Sequence, residues 1–146
     1  AEQYPHMQVK VVSDSRLDIQ TPFINYVQWG RERELRDLLS FDIGVMPLPD
    51  NQWTKGKCGF KLIQYMSAGI PVVCSPVGVN KKIVKHGTTG FFAESSRDWK
   101  EYLIQLIKDI DLREKMGMAG REFVRKHYSL NYWGSYMDKR LKELLI

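Results

Sequence analysis

Residues 57–75 constrain the fold more than any other stretch. They open with Lys57-Cys-Gly59, continue as Phe60-Lys-Leu-Ile-Gln-Tyr-Met-Ser-Ala68, and close with Gly69 and Ile70-Pro-Val-Val-Cys-Ser75. Leu62, Ile63, Tyr65 and Met66 share one side at helical spacing, which predicts a short amphipathic helix over 60–68. Gly69 suits the position after a helix end, where left-handed backbone is needed. The apolar run at 71–74 reads as a strand buried on both faces, the habit of parallel sheets. A basic glycine loop running straight into a helix sets backbone N–H groups and lysines at the helix N-terminus, an arrangement that holds phosphate.

The rest of the chain repeats the alternation. Strands are expected at 9–12, 23–27, 42–46 and 91–93, with Pro22 at the edge of the second and Pro47 and Pro49 stopping the third. Helices are expected at 32–40, 80–85, 112–127 and 130–145, and from Asp98, read as an N-cap, through Trp99, Tyr102, Leu103, Leu106 and Ile107. Residues 49–59 read as a polar loop holding Trp53. Short apolar strands alternating with helices imply an α/β, Rossmann-like, doubly wound parallel sheet with C-terminal helices. No repeat, low-complexity tract or linker divides residues 1–146, so they read as one domain.

In such sheets ligands bind beyond the carboxyl ends of the strands. That rule gathers Ser13-Asp14, Gln28-Trp-Gly30, residues 47–59 and residues 75–80. Lys55, Lys57 and Lys61 flank the helix start at Gly59; the glycine admits a phosphate to the backbone and the lysines supply charge. A solvated loop with a tight turn explains the same residues on spacing alone. Lys61 opposes the helix dipole in the first turn, a conflict that a bound anion would remove. Gln64, one turn on, is placed to bond sugar or ribose hydroxyls, and Trp29 to stack on a base; on periodicity alone a surface role for Gln64 and a packing role for Trp29 are the readings to prefer.

The net charge of +5 permits an anionic partner without choosing one. His6, His86 and His127 are scattered, so no metal-ligand spacing arises. There is no GxSxG elbow, no GxxxxGK[ST] loop and no recognisable nucleic-acid-binding pattern. Two cysteines, Cys58 and Cys74, fit a reducing compartment, and no apolar run is long enough to span a membrane. A cytoplasmic location is the expectation.

At Gly59-Phe-Lys-Leu-Ile-Gln-Tyr-Met-Ser-Ala-Gly-Ile-Pro-Val-Val73 the chain resembles the GT-B glycosyltransferases of family 4, also called group 1. These often carry P-x-K-L-x-E-Y-M-A-x-G-x-P-V-V or an E-x7-E version of it. Asp42-Ile-Gly-Val-Met-Pro47, Ser75-Pro-Val-Gly-Val-Asn80, His86-Gly-Thr-Thr-Gly-Phe91 and His127-Tyr-Ser-Leu-Asn-Tyr-Trp133 are similar to neighbouring family segments, so the resemblance covers nearly the whole chain. It implies the C-terminal, donor-binding half of a GT-B fold. The parent enzyme would move a sugar from a nucleotide-sugar to an acceptor hydroxyl, with retention and without a metal or other cofactor, the nucleotide-sugar being substrate. By the same resemblance Lys61 and the backbone of Gly59 and Phe60 face the donor diphosphate, and Lys57, which flanks the same helix start, is a donor-binding candidate with them. Gln64 faces the ribose, Gln28 and Trp29 flank the base, and Val77, Gly78 and Val79 lie beside the site. It assigns no catalytic residue here.

The departures are specific. Gly56 and Gln64 stand where the family's two glutamates would be, and a neutral amide bonds a hydroxyl less strongly than a carboxylate. The family's first strand and its acceptor-binding N-terminal domain have no counterpart in the chain. Without the first strand of a 3-2-1-4-5-6 sheet, strands 9–12 and 42–46 either leave a gap or pair directly. Exposed edges of that kind favour a homodimer. The expected partners are therefore the nucleotide-sugar, an acceptor glycan or lipid-linked sugar through the N-terminal domain, and a second chain. Contact with the inner face of a membrane is a further expectation, from the apolar and basic residues of 130–144. A non-catalytic nucleotide-sugar-binding or interaction module is the alternative function.

Overall fold

The computed structural model describes residues 4–15 and 21–144. The chain divides into two compact units, Ala1–Phe41 and Asp42–Ile146.

The first unit is built on β1 (Val9–Ser13) and β2 (Ile24–Gln28), paired in parallel with Val9 opposite Ile24 and Ser13 opposite Gln28. Its helix, α1 (Glu34–Leu38), is shorter than the expected 32–40. No side chain caps it at Arg33, and the residues before it are spent on a turn in which the Arg33 N–H donates to the Gly30 carbonyl at 3.0 Å. The unit is fastened by charge: Lys10 Nζ donates to Asp37 Oδ1 and to Ser40 Oγ, each at 2.9 Å.

The second unit holds β3 (Gly44–Met46), β4 (Val72–Cys74) and β5 (Gly90–Phe92) in a parallel sheet ordered β3-β4-β5. Around it run α2 (Gln52–Lys55), α3 (Phe60–Ser67), α4 (Asn80–Ile83), α5 (Ser96–Lys108), α6 (Ile110–His127) and α7 (Leu130–Leu144). Every residue of β4 is buried. Val72 and Cys74 join Leu62, Met66, Ile83 and Val124 in one core. Val73 joins Phe91, Leu106 and Met116 in a second. Successive side chains of a strand point to opposite faces, so the two cores cover the two sides of this sheet, as the apolar run at 71–74 predicts.

Parallel sheets with flanking helices make this an α/β, Rossmann-like fold. The expected single sheet is replaced, among the described residues, by one parallel sheet in each unit. Of the two outcomes open for strands 9–12 and 42–46, direct pairing is not found.

Helix ends explain the other differences. α3 closes with a full Schellman motif: Gly69 has φ +76°, its N–H donates to the Met66 carbonyl, and the Ile70 N–H donates to the Tyr65 carbonyl, both at 3.0 Å. Asp98 is not the N-cap of α5. Ser95 is, and Asp98 sits three residues inside, where it reaches back to the Ser95 N–H at 2.9 Å. α6 begins at Ile110, two residues early, because the Asp109 carboxylate accepts from the Leu112 N–H at 2.8 Å. Residues 49–59 are not wholly loop: Asn51 caps α2, with its Oδ1 accepting from the Thr54 N–H at 2.9 Å. Gly117 of α6 lies against the Gly69 carbonyl, an approach that a side chain would block.

Candidate functional site

The predicted site residues fall in both units. Gln28 and Trp29 stand at the carboxyl end of β2, exposed. The Trp29 N–H donates to the Ser13 carbonyl at 2.9 Å, and Gln28 Nε2 to the Asp14 carbonyl at 3.4 Å, so the ends of β1 and β2 are tied together. The other predicted residues belong to the second unit.

There the chain turns into α3 through Gly59, whose φ of +68° places it in the left-handed region that favours glycine. No side chain caps this N-terminus. The Leu62 and Ile63 N–H groups fold back on the Gly59 carbonyl at 3.0 and 3.4 Å, which leaves the amides of the first two helical residues, Phe60 and Lys61, for an outside acceptor. Gly59 itself is buried. A β-carbon on it would meet Ile83 Cδ1, and lie 3.1 Å from Val79 Cγ1 and 3.4 Å from Asn80 Oδ1. The start of α3 is thus seated on the start of α4, and Val79 forms part of the seat.

Lys57, Phe60 and Lys61 are exposed, and Gln64 is half-buried one turn into α3. Val77 is buried with the core rather than open to the surface. Gly78 has a role of its own: with φ +55° it faces the backbone of Lys55, whose carbonyl oxygen lies 2.7 Å from where a β-carbon would stand. Loop 47–59 and turn 75–80 are therefore pressed together.

Sequence reading missed the residues that hold this junction. Ser75 Oγ accepts from the Leu48 N–H at 2.9 Å, and Asn80 Nδ2 donates to the Ser75 carbonyl at 3.0 Å. Thr54, Ser75 and Asn80 are all buried. The spacing Asn51-x-x-Thr54 is a cap signal that would have revealed the first of them.

Charge is concentrated in the same segment. Between residues 47 and 92 stand Lys55, Lys57, Lys61, Lys81, Lys82 and Lys85 against one carboxylate, Asp50. That accounts for the whole net charge of +5, since the rest of the chain balances. Asp50 is taken by Lys55 at 2.9 Å in an exposed pair. A low-acid surface with two open amides at a helix start is suited to a multiply charged anion.

Comparison with known proteins places the chain in a family. Residues 21–123 match the family model described as glycosyl transferases group 1, and the chain belongs to that family. It is 28% identical over 101 residues to N-acetyl-alpha-D-glucosaminyl L-malate synthase of Bacillus anthracis, a match covering 68% of this chain and 26% of that protein. It is 34% identical over 70 residues to an uncharacterised glycosyltransferase of Methanocaldococcus jannaschii, covering 47% of this chain and 20% of that one. The matched part thus spans about a quarter or less of these relatives. Among solved structures, Anabaena HepE in complex with UDP superposes with a TM-score of 0.73 at 14% identity, covering 95% of this chain and 42% of HepE. The C-terminal domain of a group 1 glycosyl transferase from Francisella tularensis superposes with a TM-score of 0.61 at 22% identity, covering 74% of this chain and 55% of that one. At these identities the likeness speaks for the fold.

Proposed function

We propose that this chain is the donor-binding half of a family 4 glycosyltransferase, holding a nucleotide-sugar by its diphosphate at the N-terminus of α3. The observation that carries the reading is the uncapped helix start at Gly59, set in the one segment that holds the protein's entire excess of positive charge. In this reading the Phe60 and Lys61 amides and the Lys57 and Lys61 ammonium groups bind the diphosphate. They stabilise the charge that grows on it as the sugar leaves, the task a metal performs elsewhere. Gln64 contacts the ribose. The acceptor, a glycan or lipid-linked sugar, is held by protein outside this chain, and transfer proceeds with retention. HepE, whose structures carry UDP and UDP-glucose, supports a uridine nucleotide as the first ligand to try.

The test is calorimetric titration of the 146-residue chain with UDP, GDP and ADP, beside Lys61→Ala. One nucleotide is expected to bind, about tenfold more weakly in the variant, with an affinity that falls as salt rises. Equal affinity in the two proteins would remove Lys61 from the site, and no binding of any of the three would count against the reading as a whole.

A second reading is favoured by Gly56 and Gln64, which stand where the family has acids: a module that binds the nucleotide-sugar without transferring it. Fusing an N-terminal half from a related transferase and assaying sugar transfer separates the two.

A further inference from the structure

The loop that precedes α3 is fastened by bonds within the chain, made by polar side chains withdrawn from solvent. Thr54 is 4% exposed, Ser75 8% and Asn80 1%. A buried hydroxyl or amide is tolerated only when its bonds are made, so such groups specify one arrangement of the backbone around them. Thr54 works within the loop: its Oγ1 donates to the Pro49 carbonyl at 2.5 Å and accepts from the Asn51 N–H at 3.2 Å. Ser75 joins that loop to the next, because its Oγ takes the Leu48 N–H. Asn80 closes the other side, its amide nitrogen on the Ser75 carbonyl and its Oδ1 near Gly59 at the start of α3. Between them Gly78 lets the Lys55 backbone lie directly on the turn.

We propose that Thr54, Ser75 and Asn80 form a buried latch that positions the phosphate-facing backbone at Gly59 and Phe60. They are positioning residues, since none of them is offered to the ligand. The inference rests on the donor-site reading and adds to it that the site is built in advance. A loop ordered before binding spares the complex the entropy of ordering it, so loosening the latch weakens binding without removing any contact to the ligand.

Thr54→Val keeps the shape of the side chain and deletes the hydroxyl, and Thr54→Ser restores the hydroxyl alone. Amide hydrogen exchange over residues 48–58 and UDP titration are measured on the wild type and both variants. In Thr54→Val, exchange over 48–58 is expected to speed at least tenfold while β4 and α6 keep their protection. UDP binding is expected to weaken about fivefold to tenfold, and Thr54→Ser to return both to near wild type. Unchanged exchange in Thr54→Val overturns the latch, and faster exchange with unchanged UDP affinity overturns its role in positioning. Wild-type protein that takes up none of UDP, GDP or ADP overturns the donor-site reading itself. That result is told apart from the others by the exchange data, which need no ligand.

Discussion

The two units solve the same problem by different physics. In the second, three short strands are enclosed by helices, and Leu62, Met66, Val72, Val73, Cys74, Ile83 and Leu106 lose all contact with water. In the first, the one buried residue among those described is Asp37, while Leu35 of α1 and Leu39 at its C-cap stand 66% and 60% exposed. A three-stranded sheet with both faces covered can rest on apolar burial, whereas a two-stranded sheet with a single five-residue helix cannot, so an ion pair and backbone bonds carry more of the load. The phosphate-facing machinery stands on the unit that has a core.

The largest effect should come from breaking that core. Leu62→Ala removes a fully buried side chain between α3 and β4 and is expected to destabilise the second unit by about 3 kcal/mol. Cys74 offers a direct readout. Burial pushes its thiol up to about 12, so it should resist alkylation until the core opens, while the exposed Cys58 reacts at once. In Leu62→Ala, Cys74 labelling should accelerate about a hundredfold, the rate equivalent of that destabilisation. Labelling no faster than in the wild type would mean that the core does not control access to β4.

A second substitution tests the link between core and site. Gly78→Ala forces a side chain into left-handed backbone, at a cost of about 1–2 kcal/mol, and against the Lys55 backbone. Gly87 has φ +75° with nothing within 4 Å of its absent side chain, so Gly87→Ala imposes the backbone strain alone. Both variants should melt a few degrees early. Only Gly78→Ala should also weaken UDP binding, by about tenfold, because only there must the loop before α3 move. Equal affinities in the two would detach that loop from the site.

Much of this was legible in the sequence. The apolar run at 71–74 announced a strand covered on both faces, and Gly69 marked the end of α3 because only a left-handed residue completes that cap. Gly59 was legible as the start of α3, though its left-handed backbone was not. Strands at 9–12 and 23–27 were legible too, the first one residue longer and the second shifted by one residue in the structure. What escaped was decided by side chains bonding to backbone nearby. Asn51 and Thr54 make a helical turn inside a stretch whose composition says loop, and Ser95 takes the capping place that Asp98 was expected to fill because both partners of a capping box are good caps. The junction of Ser75, Asn80 and Gly78 escaped for a different reason. The rule for parallel sheets gathers loops 47–59 and 75–80 at one end, but which side chains bond across them is set by their packing, and no local pattern encodes that.

The first unit should respond to acid. The hydrogen bond from Lys10 holds the Asp37 carboxyl below its ordinary value of about 3.8, helped by the positive charges of Lys10, Arg33 and Arg36 and opposed by burial. A carboxylate with a lowered folded pKa contributes its full stability above the ordinary carboxylate range. That contribution is lost as pH falls through the lower folded value. Amide protection in β1 and α1 should therefore hold from pH 7 down to about 5 and fall below pH 4. In Asp37→Asn the protection should already be reduced at neutral pH and change less on acidification. A wild-type profile flat to pH 3 would show that the Lys10–Asp37 pair contributes nothing to the unit.

The smallest effect is expected where the comparison is sharpest. Leu39→Ser alters a leucine as apolar as Leu62, at the C-cap of α1 and 60% exposed rather than enclosed. Little apolar area returns to water on truncation, and no cavity forms. The change in stability should lie within about 0.5 kcal/mol, against about 3 for Leu62→Ala. Thermal melts of the two variants side by side measure the ratio. A loss of 2 kcal/mol or more in Leu39→Ser would mean that α1 buries its leucines against something in solution. The first unit would then have an apolar core of its own, made with a second chain or with more of a longer one, and the contrast between the two units would dissolve.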